Sequence, residues 1–164
     1  MRYFTYELFL AQSDGSLSLI EEKKIQDQWN KYVLEYRSTY EALANRMSKD
    51  VYQRFSGWGF HDYHLLSLKL EHESLRKMNL KLTLSNDEGL TKNILLFNDV
   101  SFIEYHHENY DNDKPVMNRD IDIWLYEELL SVDSTTLSFE VIFSSGASIA
   151  IKFPNHAVTI IEER

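Results

Sequence analysis

The stretch Ser56-Gly57-Trp58-Gly59-Phe60 separates two parts of the chain that have different hydrophobic periods. Before it, apolar side chains recur every three or four residues, as in helices, and after it they alternate, as in strands. Two glycines within three residues end a helix and permit a sharp reversal of the backbone. We therefore predict a single domain over residues 1–164, with a helical segment 1–59 and an antiparallel β segment 60–164.

The helical segment has two predicted parts. Thr5 is placed to cap a short helix that runs through Leu10. A long apolar face follows, and we expect it to break near Ser38-Thr39 into two packed helices. Helical spacing of this kind is typical of a face turned to the core, and the many aromatic rings leave a partner-binding face as the alternative. The face consists of Ile25, Trp29, Tyr32, Val33, Tyr36, Tyr40, Leu43, Met47, Val51 and Phe55.

The β segment contains about eight short apolar runs with little room for helices between them. Leu66, Leu68 and Leu70 alternate with polar residues and are expected to share one face. The two residues Asn98-Asp99 have the length of a hairpin turn, and Ser144-Ser145-Gly146 supplies another turn. This pattern predicts an α+β fold, with N-terminal helices packed on an antiparallel β sandwich or a strongly curled sheet.

Acidic side chains are concentrated in the β segment. The formal net charge is -9, and residues 1–59 hold equal numbers of acidic and basic side chains. The stretch from Asp99 to Asp133 holds ten carboxylates against Lys114 and Arg119. Nucleic acids are bound largely by Lys and Arg, so this composition argues against a nucleic-acid partner. A basic protein is the better electrostatic match.

The composition also bears on location. The chain has no cysteine, which excludes disulfides and thiolate metal sites and fits a reducing compartment. Its start lacks the apolar region of a signal peptide, and no segment approaches the roughly 18 apolar residues of a membrane span. We expect a cytoplasmic protein that contacts no membrane. The sequence makes no prediction of the oligomeric state.

Three short motifs resemble a bacterial family of unknown function whose members begin Met-(Lys/Arg)-Tyr-Phe-Thr and carry a His-Asp pair before an antiparallel domain. They are Met1-Arg2-Tyr3-Phe4-Thr5-Tyr6-Glu7-Leu8, Phe60-His61-Asp62-Tyr63-His64-Leu65 and Trp124-Leu125-Tyr126-Glu127-Glu128-Leu129. The resemblance implies that the helical and β segments are inherited together, and it implies no activity. Small acidic proteins of similar architecture serve as immunity partners of bacterial toxins, which is an analogy of fold and charge.

His61, Asp62 and His64 are the candidate metal ligands, because imidazole and carboxylate suit divalent ions. In a regular strand His61 and His64 point to opposite faces, so the site would need an irregular backbone. The simpler interpretation is that Asp62 accepts local hydrogen bonds where the chain enters the sheet. We predict no metal site. The alternative function is a metal-dependent hydrolase that uses these three residues or the pair Glu104 and His106.

Other carboxylates of the β segment also resemble parts of catalytic or metal sites. Glu104 and His106 share a strand face and could act as a base and its orienting group. Asp111, Asp113 and Asp122 match three positions of a calcium loop, but the loop's glycine is missing. Glu127 and Glu128 are adjacent, so on a strand they face opposite ways. Glycine-rich nucleotide loops and common catalytic motifs are absent, and no cofactor is predicted.

The sequence therefore favours a non-enzymatic binding protein with an acidic recognition surface, immunity-like toward a basic protein partner. Carboxylates would supply the charge of this surface, and three aromatic side chains would anchor the partner. For Trp124 a place in the core is the alternative. The candidate residues are Glu104, Glu108, Asp111, Asp113, Asp120 and Asp122, with Tyr105, Tyr110 and Trp124 as the aromatic anchors.

Overall fold

The computed structural model of the protein describes residues 1–86, 91–107 and 122–163. Within these ranges every helix lies before Gly57 and every strand lies after Phe60, which confirms the predicted α+β class. The helices are α1 (Tyr6–Ser13), α2 (Leu19–Glu41) and α3 (Lys49–Phe55). The strands are β1 (His64–Ser74), β2 (Lys77–Ser85), β3 (Lys92–Phe97), β4 (Phe102–His106), β5 (Trp124–Ser131), β6 (Thr136–Phe143), β7 (Ser148–Pro154) and β8 (Val158–Glu163).

Each helix begins after a hydroxyl side chain that accepts a hydrogen bond from the backbone N–H three residues later. Thr5 does so for α1, Ser18 for α2 and Ser48 for α3. Such caps satisfy N–H groups that have no partner within the helix. The predicted cap at Thr5 is confirmed, and α1 continues past Leu10 to Ser13.

The long apolar face is interrupted after Glu41 rather than near Ser38-Thr39, so the predicted position of the break is wrong. Thr39 stays inside α2, where its hydroxyl donates to the backbone carbonyl of Glu35 at 3.0 Å. A hydroxyl that bonds to its own helix in this way does not end it. The helix restarts where Ser48 caps α3. The expectation of two helices along this face is correct.

The strands form two antiparallel sheets of four, in the orders β1-β2-β3-β8 and β4-β7-β6-β5. The sheets pack through aromatic rings, since the centroid of Phe97 in β3 lies 5.1 Å from Phe139 in β6 and 5.0 Å from Phe153 in β7. Helix α3 joins the same core through Phe55, whose ring lies 5.7 Å from Phe139. This is the sandwich with N-terminal helices that the sequence predicts.

Asn98-Asp99 does not form a hairpin turn, so that prediction is wrong. β3 pairs with β2 and β8, whereas β4 pairs with β7 in the other sheet. Asp99 has a φ of 50°. The N–H groups on either side of it bond elsewhere, from Asn98 to the Ala157 carbonyl and from Val100 to the Met78 carbonyl, both at 2.7 Å. The connection therefore carries the chain from one sheet to the other.

A β-bulge changes the predicted face of β1. Leu65 and Ser67 pair with adjacent residues of β2, so Leu66 is the extra residue between them. Leu68 and Leu70 pair with the core residues Leu82 and Leu80 of β2, whereas Leu66 has no partner in the register of the two strands. The prediction that all three leucines share one face is wrong, because a bulge shifts the alternation by one residue.

The predicted turn Ser144-Ser145-Gly146 is confirmed, and it joins β6 to β7. Gly146 has a φ of 85°, in the region that favours glycine. A Cβ at this position would also approach the Tyr6 ring to 3.1 Å. The turn therefore places α1 against the end of the second sheet.

Candidate functional site: an aromatic cleft

An open cleft of about 520 Å³ lies between α2, the segment that follows α3, and β5. Ligand-binding clefts in proteins typically have volumes of about 300–1,000 Å³. The apolar face of the helical segment has two parts. Its C-terminal part is buried in the core, and several of its aromatic rings line the cleft. The aromatic residues of the walls are Trp29, Tyr36, Tyr40, Tyr52, Trp58 and Tyr126.

The aromatic rings of the cleft walls pack against one another in pairs. Trp29 of α2 lies 5.0 Å from Tyr126 of β5 between ring centroids. Tyr40 and Tyr52 are stacked at 4.9 Å and hold α2 against α3. Trp58 differs from these rings because it is 77% exposed at the mouth of the cleft. Exposed tryptophans at the edge of a concave surface are typical anchors for partners.

Gly59 brings the backbone directly onto the carboxyl group of Glu127. Its φ is 52°, and a Cβ built at this position would lie 1.8 Å from Glu127 Oε1. Any other residue here would be strained in its backbone and would displace the carboxyl group. The glycine that ends the helical segment is thus also the residue that allows Glu127 its place in the cleft.

Glu127 is a titratable group in the lining of the cleft. Its Oε2 accepts a short hydrogen bond from the indole Nε1–H of Trp124. The residue is half-buried and keeps part of its surface exposed in the cleft. Burial raises the pKa of this carboxyl from 4.5 to about 8, although the Trp124 hydrogen bond and the Arg54 charge both lower it. The group therefore holds a proton at neutral pH.

Two tyrosines of α2 lie close enough to Glu127 for its charge to act on them. Burial raises the pKa of Tyr36 and of Tyr40, and the Glu127 charge raises both further. The Tyr36 hydroxyl accepts a 2.9 Å hydrogen bond from the Leu129 N–H, and the Tyr40 hydroxyl donates to the Tyr52 carbonyl at 2.9 Å. Both rings are thereby fixed in the wall as neutral phenols.

His61 lies in the same lining and is oriented by its neighbour. Its Nδ1 is 3.0 Å from Asp62 Oδ2, as the local interpretation of this pair predicts. The His61 ring contacts Trp58 at 5.4 Å and Tyr126 at 5.5 Å. Asp62 has a φ of 66°, a conformation that Asp tolerates better than most residues.

The alternative metal ligands are not brought together. His64 lies at the start of β1 and forms a bridge with Ile123. In the part of the chain that the structure describes, no three His, Asp or Glu side chains are grouped so as to hold a metal ion. His61 and Asp62 therefore act as a pair without His64.

Glu128 faces the other side of β5, as expected for the neighbour of Glu127 on a strand. Its carboxylate accepts hydrogen bonds from the N–H groups of Arg2 at 2.8 Å and of Tyr3 and Phe4 at 2.7 Å. The residue is 1% exposed. Glu128 thus holds the segment before α1 against the sheet, and this places the Phe4 ring 5.0 Å from Trp29 in the cleft wall.

The predicted acidic surface is only partly described. Glu104 and Tyr105 are exposed on β4, and Glu104 Oε1 lies 3.8 Å from His106 Nε2. Burial raises the pKa of Tyr105 and the Asp122 charge raises it further, so Asp122 lies near that ring. The predicted residues Glu108, Tyr110, Asp111, Asp113 and Asp120 lie outside the described residues.

Two members of the predicted surface have structural positions instead. Asp122 accepts hydrogen bonds from the N–H and hydroxyl of Ser145, at 3.1 and 2.8 Å, and so braces the turn between β6 and β7. Trp124 has no exposed surface and contacts Phe60 and Phe143 at 5.7 Å. Trp124 is a core residue, as its alternative interpretation states, and cannot anchor a partner at the surface.

Sequence reasoning missed Glu127 as a site residue. The signal was a pair of adjacent glutamates in a strand, one of which must face inward, immediately after the tryptophan and tyrosine of 124–126. The apolar stripe of α2 was the second signal. Nothing in the spacing shows that these two segments meet.

Comparison of the chain with protein-family models, with curated proteins and with solved structures gives no match. The resemblance to the bacterial family of unknown function therefore stays a prediction. Among the described residues no helix has the length and apolar character needed to cross a membrane.

Proposed function

We propose that this protein is a non-enzymatic binding protein that recognises a basic protein partner through the aromatic cleft. The observation that carries the proposal is the combination of aromatic walls with the carboxyl group of Glu127. Aromatic faces and carboxylates both attract organic cations. An immunity-like role toward a bacterial toxin fits such a partner.

Charge supports the same partner. The chain carries a net charge of -9, and a basic partner is steered toward an acidic protein at low ionic strength. Glu104 and Tyr105 on β4, with the acidic residues 108–120 of the sequence, would form the outer recognition surface. In this proposal the acidic stretch speeds association and the cleft supplies most of the affinity.

A hydrolase is the second candidate function. One observation favours it: His61, oriented by Asp62, lines the same cleft as the Glu127 carboxyl. An imidazole and a carboxyl of raised pKa are suited to general acid–base catalysis. In its metal-dependent form the candidate has no group of ligands among the described residues.

A cytoplasmic location is part of our proposal and is supported by the absence of cysteine.

The binding function can be tested with lysine octapeptide as a basic probe and glutamate octapeptide as an acidic one. We expect the protein to bind the basic peptide only. Trp58→Ala should weaken this binding by about tenfold, because a truncated aromatic anchor typically costs more than 1 kcal/mol. Leu75→Ala is the matched control, since Leu75 is an apolar side chain even more exposed than Trp58 and lies in the turn between β1 and β2.

A second variant separates the two surfaces. Replacing Glu104 by Gln and Asp111, Asp113 and Asp120 by Asn should slow association and weaken its salt dependence, with little change in dissociation. Asp122 is left intact because it braces a turn. Equal binding of the two peptides, or an unchanged affinity in Trp58→Ala, would contradict the proposed function.

A further inference from the structure

We propose that the aromatic cleft takes an alkylammonium group, the end of a lysine side chain of the partner, with Glu127 as its counter-ion. The inference rests on the proposed function and states which chemical group of the basic partner enters the cleft. It also implies that the ligand exchanges with a proton, so that the site binds better as the pH rises.

The walls are suited to a weakly hydrated cation. A cation is attracted to an aromatic face when it lies within about 6 Å of the ring centroid. The cleft is lined by Trp29, Trp58 and Tyr126 and by further tyrosines, so a group inside it contacts several aromatic side chains. Each such contact is worth roughly 0.5–2 kcal/mol, depending on desolvation.

Glu127 has capacity for a further donor. An ionised carboxylate offers about four lone-pair positions to donors. The Trp124 indole occupies one of them on Oε2. Glu128, by comparison, accepts hydrogen bonds from the backbone N–H groups of three successive residues. An ammonium group, with three donors, is the complement of Glu127 in its ionised form.

The charged and titratable groups around Glu127 come from every element that packs against it. On the core side the Arg54 guanidinium lies 4.3 Å above the Phe60 ring and attracts the Glu127 charge. On the cleft side Arg37 contributes one positive charge and Glu41 one negative charge. The groups concerned are Arg54 from α3, Tyr36, Arg37, Tyr40 and Glu41 from α2, His61 from the turn and Trp124 from β5.

The proton balance follows from this environment. In the empty cleft burial outweighs Arg54 and Trp124, so the carboxyl holds its proton up to a pKa of about 8. An incoming ammonium group pairs with the ionised form, and the proton leaves to solvent. Below this pKa the affinity should rise about tenfold per pH unit, and it should level off above it.

The size of the cleft agrees with a side chain that belongs to a larger partner. A volume of about 520 Å³ exceeds one alkylammonium group and leaves room for the peptide that carries it. Trp58 at the mouth is exposed and can cover that peptide.

The experiment uses n-butylammonium as the probe and 1-butanol as its uncharged match, on the full chain, between about pH 6 and about pH 9. Trp29 and Trp58 line the cleft, so tryptophan fluorescence reports occupancy. We expect butylammonium to bind, with an affinity that rises about tenfold per pH unit below pH 8, and butanol to bind at least tenfold more weakly.

Glu127→Gln should abolish the pH dependence and reduce butylammonium binding to that of butanol. Glu71→Gln removes the same charge from an exposed position of β1, outside the proposed binding surfaces, and should change neither. Glu127→Asp keeps the charge, and it should retain a rising pH dependence. Equal binding of the two probes, or an unchanged pH profile in Glu127→Gln, overturns the inference.

The two proposals can fail separately. If lysine octapeptide binds but butylammonium does not, the cleft does not take the ammonium group and the binding function stands. If neither binds, both proposals are wrong. If butylammonium binds and the octapeptide does not, the cleft is a site for small cations and the protein partner is wrong.

Discussion

Glu127 and Glu128 are neighbours on β5, yet their carboxyl groups differ in the number of hydrogen-bond donors that reach them. Glu128 receives N–H groups from three successive backbone residues, 2–4. Glu127 receives one indole N–H, and burial raises its pKa to about 8. The difference teaches that the supply of donors, rather than burial as such, separates a carboxyl group used for folding from one that remains available to a ligand.

The strongest way to break this comparison is to remove the carboxylate that has the most donors. Glu128→Ala leaves three N–H groups without their acceptor, and each buried unsatisfied group costs about 1–3 kcal/mol. We expect a loss of about 3–5 kcal/mol in the free energy of unfolding, measured by urea denaturation. Glu128→Gln keeps one carbonyl acceptor and should lose less. A loss below about 1 kcal/mol in Glu128→Ala would show that the segment before α1 is held by its rings instead.

The second test concerns the pH dependence of stability that Glu127 introduces. The carboxyl ionises near 4.5 in the unfolded chain and near 8 in the folded one, so between these values the folded state holds a proton that the unfolded state has lost. Stability should therefore fall as the pH rises through this window, by an amount on the order of a few kcal/mol.

Glu127→Gln removes this titration. The variant should match the original chain near pH 5 and exceed it in stability near pH 9, in urea denaturation at each pH. Parallel stability curves for the two proteins would mean that the raised pKa is absent, and the contrast with Glu128 would then be one of position only.

The smallest effect is expected at the glycines that precede β1. Gly59→Ala forces a side chain into a φ of 52° and against Glu127 Oε1, and we expect it to lose about 1–3 kcal/mol of stability. Gly57→Ala is the matched control, because a Cβ there meets nothing within 4 Å. Thermal unfolding of both variants checks this. Equal melting temperatures would show that the backbone at Gly59 can relax away from the carboxyl group.

The fold class was predictable because it depends on local periodicity. The change of period at Gly57-Trp58-Gly59 separates helices from strands in the described chain. The crossing between sheets at Asn98-Asp99 was not predictable from spacing, because two adjacent alternating runs look the same whether the strands share a sheet or lie in different ones. The two strands lie in different sheets because β3 pairs with β8 and β4 pairs with β7, and both partners lie more than 40 residues later in the chain.

The cleft was predictable in its parts and not as a whole. Helical spacing showed that Trp29, Tyr36 and Tyr40 share one face, and strand alternation showed that Glu127 and Glu128 separate. That the helix face meets Glu127 depends on the packing of α2 beside β5. Composition indicated the whole stretch 99–133 as an acidic surface, although Glu128 in this stretch is buried and Glu127 is half-buried.

The crossing at Asn98-Asp99 has a consequence for the order in which the chain folds. β1, β2 and β3 are paired with sequence neighbours and can associate as soon as they exist, as can β5, β6 and β7. β4 has to wait for β7, and β3 gains its second partner only with β8. These pairings close long loops, whose entropy is lost before any contact compensates, so they should be the slow steps of refolding. Pulse-labelled hydrogen exchange would then show amides of β4 and β8 protected after those of β2 and β6.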